Sequence, residues 1–379
     1  MVLYQSIGAH LCQDYGSRIT ARTFSNFVFD KLNIMNHEPG EEMRNSIDVL
    51  ITFYNQETYV DQALSSVLNQ KGDFDLHVLV GDDGSTDRTL ALLEKWQKQF
   101  PKVVQIYRMH RESDAHYVPG FRSSLNRLNL LKQVKSDYFI FLDGDDYFDR
   151  DEKLQLQMSI LEKEENQDCV ACGHAIDAVF NDGNRKPYAR LPDRERKYTL
   201  KEYWRSAYVH TDTLLVRSNI IHTLLSDKIE HNFNDNLITF LVLQQGKLYY
   251  YPEPMAVYRQ TNDGIWTGST DVVKNLRNIF LYDLAISINP SLASETRTRF
   301  AYSWKTLFRN KHHIRRADLQ PYNEEAEDKG LEFSKYWINF EKLSNKEKWK
   351  LYKEYLLVMM NSYEYRLRRK IGLWHYQLL

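Results

Sequence analysis

Tyr138-Phe-Ile-Phe-Leu-Asp143-Gly144-Asp145-Asp146 runs five apolar residues straight into three carboxylates. The apolar part has the length of a buried strand. Carboxylates this close repel one another unless a cation or solvent neutralises them. Alternating aspartates present oxygens to a single hard ion, Mg²⁺ or Mn²⁺, and leave positions open for phosphate. An EF-hand loop would need Asp or Asn at its fifth position and Gly at its sixth, where Tyr147 and Phe148 stand. A phosphatase of the haloacid-dehalogenase type would want Thr or Val shortly after the second aspartate, and the same two aromatics fit that no better. The plain alternative is a solvated acidic loop.

Upstream, the same arrangement repeats. Ile47-Asp-Val-Leu-Ile-Thr-Phe53 is a short apolar run that ends in Tyr54-Asn55. Val60, Ala63, Leu64, Val67 and Leu68 then fall on one face of a helix. Leu76–Val80 is a second strand and leads into Gly81-Asp82-Asp83-Gly84-Ser85-Thr86. A second helix follows, with Leu90, Leu93 and Trp96 on one face and Ser85 as N-cap. Val103–Tyr107 is a third strand, and a helix over Phe121–Val134 leads to the fourth. Strands alternating with helices imply right-handed βαβ units and a mostly parallel, Rossmann-like sheet. Ligands bind such sheets beyond the carboxyl ends of the strands, which is where both acidic turns lie.

Ile51–Asn55, Val80–Asp87 and Phe141–Asp146 together resemble, in order and spacing, the signatures of inverting family 2 glycosyltransferases of the GT-A fold, over roughly residues 46–269. The resemblance implies an α/β GT-A domain at 46–270, with nucleotide-sugar binding in 46–146 and the acceptor side in 147–270. Residues 1–45 are then an N-terminal extension and linker, and 271–379 a helical C-terminal region. It also implies that Thr52, Tyr54 and Asp83 hold a nucleobase, uracil first, and that Asp143 contacts the ribose. Asp145 and Asp146 would hold a divalent metal, Mn²⁺ or Mg²⁺, on the donor diphosphate. An arginine between the second and fourth strands also meets the nucleotide in that family; Arg122 is at the matching place, with Arg127 as its rival.

Attack on an anomeric carbon requires the acceptor hydroxyl to lose a proton. The family places an acidic pair at a helix start before the last strands; here the matching segment is Phe233-Asn234-Asp235-Asn236-Leu237, which makes Asp235 the base. Asn234 replaces the first acid. A carboxylate at a helix N-terminus also complements the helix dipole, a purely structural role. Downstream, Arg259 and Trp266, in the loop Thr261–Gly268, are placed to offset diphosphate charge or close over donor and acceptor. His210 lies on the acceptor side and reads more readily as a structural histidine.

The second half is less regular. Glu152–Glu164 and Asp235–Gln245 are predicted helices, the latter closed by Gly246 in a C′ role. Cys169–Phe180 is predicted as one strand, followed by strands at Thr213–Val216, Leu248–Tyr251 and Met255–Tyr258. Cys169 and Cys172 form a CxxC with His174 nearby, but inside an apolar run they read as buried thiols.

With 50 Lys plus Arg against 51 Asp plus Glu, the bulk charge gives no sign of nucleic acid binding. The balance hides a basic end: residues 301–379 hold 16 basic and 10 acidic residues. Tyr365–Trp374 mixes cations with aromatics, a pattern shared by an interfacial helix on anionic lipid, a solvated helical face and a dimer contact. No run reaches membrane-spanning length and no signal peptide is legible. The expected setting is therefore the cytoplasm, with peripheral contact at the inner face of the membrane. The expected partners are a nucleotide-sugar donor and a glycan or lipid-linked acceptor, as in surface polysaccharide synthesis. Two other classes fit the same letters: a nucleotidyl- or phosphotransferase on this sheet, and a nucleotide-sugar-binding protein without catalysis.

Overall fold

A computed structural model describes residues 44–293, except 112–119, 189–191, 226–232, 262–263 and 265, and scattered positions beyond 293. The expectations for the N-terminal extension and for Tyr365–Trp374 fall outside the described residues.

Strands β1 (Ser46–Phe53), β2 (Asp75–Asp82), β3 (Val104–Arg108) and β4 (Tyr138–Asp143) alternate with helices α1 (Val60–Leu68), α2 (Thr89–Gln99) and α3 (Phe121–Leu131). The four strands pair in parallel in the order β3-β2-β1-β4. Their side chains alternate between two apolar layers. Ile47, Val49, Ile51 and Phe53 of β1 enter one, and Leu50 enters the other. Such two-faced strands require cover on both sides. Val60, Ala63, Leu64 and Val67 of α1 fill the first layer.

After the aspartate turn come β5 (Tyr147–Phe148), α4 (Lys153–Glu162), β6 (Cys169–His174), β7 (Asp177–Phe180), β8 (Arg185–Pro187), β9 (Arg196–Tyr198) and α5 (Leu200–Ser206). Then follow β10 (Leu215–Arg217), α6 (Ile221–Leu224), α7 (Asp235–Leu243), β11 (Lys247–Tyr251), β12 (Ala256–Gln260) and α8 (Asp271–Ile288). The main sheet continues from β4 through β10, β6, β11 and β9, with β10 antiparallel to both neighbours. A second sheet has the order β5-β12-β7-β8. Trp204 of α5, Phe240 of α7 and Phe280 of α8 share the other apolar layer, so α8 packs on the sheet domain. Among the described residues, no helix is long and apolar enough to cross a membrane.

Several local expectations need correction. The single strand over Cys169–Phe180 is two, in different sheets, because the chain leaves strand pairing at Ala175-Ile176. Ser85 does not cap the second helix, which begins at Thr89; its hydroxyl instead accepts the Asn55 N–H at 3.0 Å. Gly246 is not in the left-handed region. A Cβ there would lie 2.6 Å from the Val170 side chain, so packing rather than helix termination requires glycine.

Two buried ionisable groups serve the scaffold. Asp48 on β1 accepts the N–H groups of Lys135 and Ser136 at 2.8 and 3.1 Å and lies 3.2 Å from His77 Nδ1. Lys153, fully buried, donates to Gln157 Oε1 at 2.8 Å, with its ammonium 4.0 Å above the Phe148 ring. Gln157 in turn donates to the carbonyls of Cys172 and Thr213.

Candidate active site

The carboxyl ends of β1, β2 and β4 bring three acidic or polar turns together. Thr52 is paired with Asp143 across the sheet, and the Gly144 N–H donates to the Thr52 carbonyl at 2.9 Å. Gly144 lets the aspartate turn lie against β1, since a Cβ there would come within 2.3 Å of the Phe53 ring. Just after β2, the Asp83 N–H donates to the Phe53 carbonyl at 2.9 Å, and Gly84 turns the chain with a φ of 71°.

Asp83 is almost fully buried and ion-paired to Arg122 and to Arg111, the latter at 2.5 Å. Arg111 also lies over the half-exposed Tyr54 ring, 3.7 Å from its centroid. Tyr54, Asp83 and Arg122 therefore do meet at the end of β2, with Thr52 next to Asp143. Arg111 joins them with no signal in its sequence surroundings.

A second group lies at the end of β4. Arg127 donates through Nη2 to Asp143 at 2.6 and 2.9 Å, and through Nη1 to Asp235 Oδ1 at 2.9 Å. Burial disfavours its charge, but Asp143 and Asp235 hold it firmly cationic. Asp235 begins α7, and Thr211 donates to it at 3.1 Å. Burial would raise its pKa, but Arg127 and His210 outweigh this and keep it below the usual carboxylate value. Asn234 is the N-cap of α7 and accepts the Leu237 N–H at 3.2 Å, a structural role for the residue that replaces the expected acid.

His210 stands between Asp212, 3.3 Å from its Nδ1, and Asp235, 3.6 Å from its Nε2. Burial opposes its charge, yet Asp212, Asp235 and Asp143 lift its pKa to about 9. Asp212 is fully buried and accepts the Asp143 N–H at 3.3 Å. His210 is thus part of the charged centre rather than a remote structural histidine. The signal was the His-Thr-Asp triplet: two ionisable residues inside an apolar stretch must find partners.

Arg259 on β12 donates its backbone N–H to Asp146 Oδ1 at 2.6 Å and its guanidinium to the Asp145 carbonyl. Trp266 is exposed and lies beside Lys274 of α8, 5.8 Å from the ammonium to its ring. It therefore does not join the carboxylates.

The arrangement suits a cation. Single ligand atoms of Asp143, Asp146 and His210 all lie within 4.8 Å of one another. The buried Oδ2 of Asp146 has no hydrogen-bond partner among the described residues. Burial and the neighbouring Asp212 and Asp145 carboxylates push the Asp146 pKa well up, and burial and Asp143 raise that of Asp145 to about 6. Crowded, dehydrated carboxylates of this kind are relieved by a divalent ion. Asp145, expected as a ligand from the sequence, is outside this group of three.

Residues 48–225 match the model for glycosyl transferase family 2. The chain carries a family 2 glycosyltransferase domain. An uncharacterised glycosyltransferase of Haemophilus influenzae is 26% identical over 230 residues, covering 56% of this chain and 65% of that protein. A poly(ribitol-phosphate) beta-glucosyltransferase of Bacillus spizizenii is 33% identical over 104 residues, covering 27% of this chain and 15% of that protein. The crystal structure of S. aureus TarS 1-349 in complex with UDP-GlcNAc superposes with a TM-score of 0.53 at 16% identity, covering 75% of this chain and 80% of that one. The domain has the GT-A fold. The chain spans less than two thirds of the length of curated relatives it matches, 58% of one and 65% of another.

In this glycosyltransferase domain, the three sequence signatures meet at the carboxyl ends of β1, β2 and β4, with Tyr54 exposed and Asp83 and Asp146 buried behind. Five carboxyl groups, those of Asp143, Asp145, Asp146, Asp212 and Asp235, lie among three basic side chains, Arg127, Arg259 and His210, and a divalent cation would make up the difference and let the crowded acids ionise.

Proposed function

We propose that the chain transfers a sugar, with inversion at the anomeric carbon, from a nucleotide diphosphate sugar to a hydroxyl of a glycan or lipid-linked acceptor in surface polysaccharide assembly. The observation that carries this reading is that a single guanidinium, Arg127, joins Asp143 at the end of β4 to Asp235 at the start of α7. UDP-sugars are the first donors to test, since TarS was crystallised with UDP-GlcNAc. The name of the Bacillus relative favours a cell-surface polymer as the setting.

In this reading Tyr54 stacks on the base, Thr52 and Asp83 hydrogen-bond it, Arg122 orients Asp83 and meets the nucleotide, and Asp143 takes the ribose. Asp235, kept ionised by Arg127 and His210, accepts the proton of the acceptor hydroxyl. Arg259 lies where it can offset charge on the diphosphate. Asp145 and Asp146, with Asp143 in reach, would hold Mn²⁺ or Mg²⁺, which would stabilise the leaving diphosphate when bound.

Thermal unfolding with UDP, GDP, dTDP and CMP, each with and without Mn²⁺, tests the donor site. A ligand confined to the folded state adds about 2.7 kcal/mol at a hundredfold excess over Kd. One nucleotide should raise Tm in a metal-dependent way, and Asp145→Ala and Asp146→Ala should each abolish the rise. No rise with any nucleotide would overturn the assignment. Release of pyrophosphate or phosphate instead of a nucleoside diphosphate during turnover would favour a nucleotidyl- or phosphotransferase.

A further inference from the structure

Beyond the carboxylate centre, a cavity of about 450 Å³ opens where β7, β12 and the start of α8 meet. That volume lies in the range of small-molecule sites. Phe180, at 36% exposure, Asn181, Asp182, Gln260 and Lys274 are among the residues that line it. Lys274 also lies over the ring of Trp266, 5.8 Å from its centroid. Solvent-facing aromatic rings next to amide, carboxylate and ammonium groups suit a ligand that is apolar on one face and hydroxylated at its edge. A pyranose is such a ligand. Asp182 and Lys274 are opposite in charge, which favours a neutral ring over a phosphate.

The strand register ties this cavity to the reacting centre. Along β12, side chains two apart lie on the same face. Arg259 points to the Asp145 carbonyl, whereas Tyr258 lies against the His210 ring, with centroids 4.8 Å apart. Gln260 shares the Tyr258 face and stands about 7 Å farther along the strand. That spacing is on the scale of one sugar residue. Phe180 is paired beside Gln260 on β7.

We propose that this cavity is a second carbohydrate subsite, holding a pyranose of the acceptor one unit removed from the residue whose hydroxyl is glycosylated. The inference rests on the reading of the chain as a transferase to a glycan, and it makes that acceptor an oligosaccharide rather than a single sugar.

Saturation-transfer difference NMR on the full chain tests it, with the methyl glycosides of glucose, galactose, mannose, rhamnose and N-acetylglucosamine as probes and glycerol 3-phosphate as the anionic control. At least one methyl glycoside should receive saturation on its ring protons. That signal should fall at least threefold in both Phe180→Ala and Gln260→Ala, while the UDP-induced rise in Tm stays at the wild-type value. Two variants guard against one failing to fold. No saturation of any glycoside, saturation that persists in both variants, or saturation of glycerol 3-phosphate alone would each overturn the subsite. Glycoside saturation at this cavity without any nucleotide effect on wild-type Tm would sink the donor assignment and leave the subsite standing.

Discussion

Arg127 and Asp235 are 108 residues apart in the chain and 2.9 Å apart in space. The other arm of the same guanidinium holds Asp143, so the end of β4 and the start of α7 are fixed to one another by a single side chain. The orientation of the proposed base is therefore coupled to the donor-side aspartate.

Removing that coupling should be costly. Arg127→Ala leaves two carboxylates facing each other with their shared cation gone. Breaking a buried pair costs several kcal/mol; since both carboxylates are partly exposed, about 2 kcal/mol is expected here. Arg127→Lys keeps a charge but cannot reach both acids, and should lose turnover while recovering part of the stability. Urea unfolding reads the first effect; an unchanged midpoint in Arg127→Ala would show the bridge to be incidental.

Asp235→Asn should separate chemistry from binding. The amide retains the shape but cannot take a proton, so turnover should drop by about 10²–10⁴-fold. Nucleotide-induced stabilisation should remain near the wild-type value. Turnover close to wild type would reject Asp235 as the base.

His77 supplies a pH test far from the active site. Its hydrogen bond to Asp48 raises its pKa above the ordinary value of 6.5, against the effect of partial burial. The stabilisation is thus complete below about pH 6.5 and is lost as pH rises through the raised folded-state value. The pair is partly solvent-exposed, so the contribution is below about 1 kcal/mol. Unfolding midpoints of His77→Gln and wild type should differ at pH 5.5 and converge by pH 8.5; a gap that widens with pH would contradict the assignment.

Lys153 has the opposite sign. Burial pushes its pKa down to about 7, with Asp212 only partly restoring it. Between the unfolded value near 10.5 and about 7, every drop in pH favours the unfolded chain, which binds the proton more readily. Lys153→Met removes this penalty, so its stability relative to wild type should improve as pH falls from 9.5 to 7. A relative stability independent of pH across that interval would show that the lysine is charged in the folded protein.

The first half of the domain was legible because both of its codes are local. Continuous apolar runs mark β1 and β4, buried along nearly their whole length, and the polar turns come directly at the strand ends where ligands bind. The breaks in the second half were not, since they depend on partners distant in sequence. Nothing in Cys169–Phe180 signals that the chain changes sheets at Ala175, and no pattern around Arg111 announces that it will cover Tyr54. His210 and Asp212 were visible as an ionisable pair, but their proximity to Asp143 and Asp235 is a product of the fold.

Gly144 contributes through empty space. A Cβ there would meet the Phe53 ring, so the four-residue aspartate turn keeps its place because one of its members has nothing to add. Any missense change at that codon introduces at least a methyl group, and relief requires either the buried Phe53 ring to shift or the turn to lift away from β1 with all three carboxylates attached. The position is therefore nearly closed to mutational drift even though it carries no chemistry, and a screen scoring only reactive side chains would overlook one of the least replaceable residues in the domain.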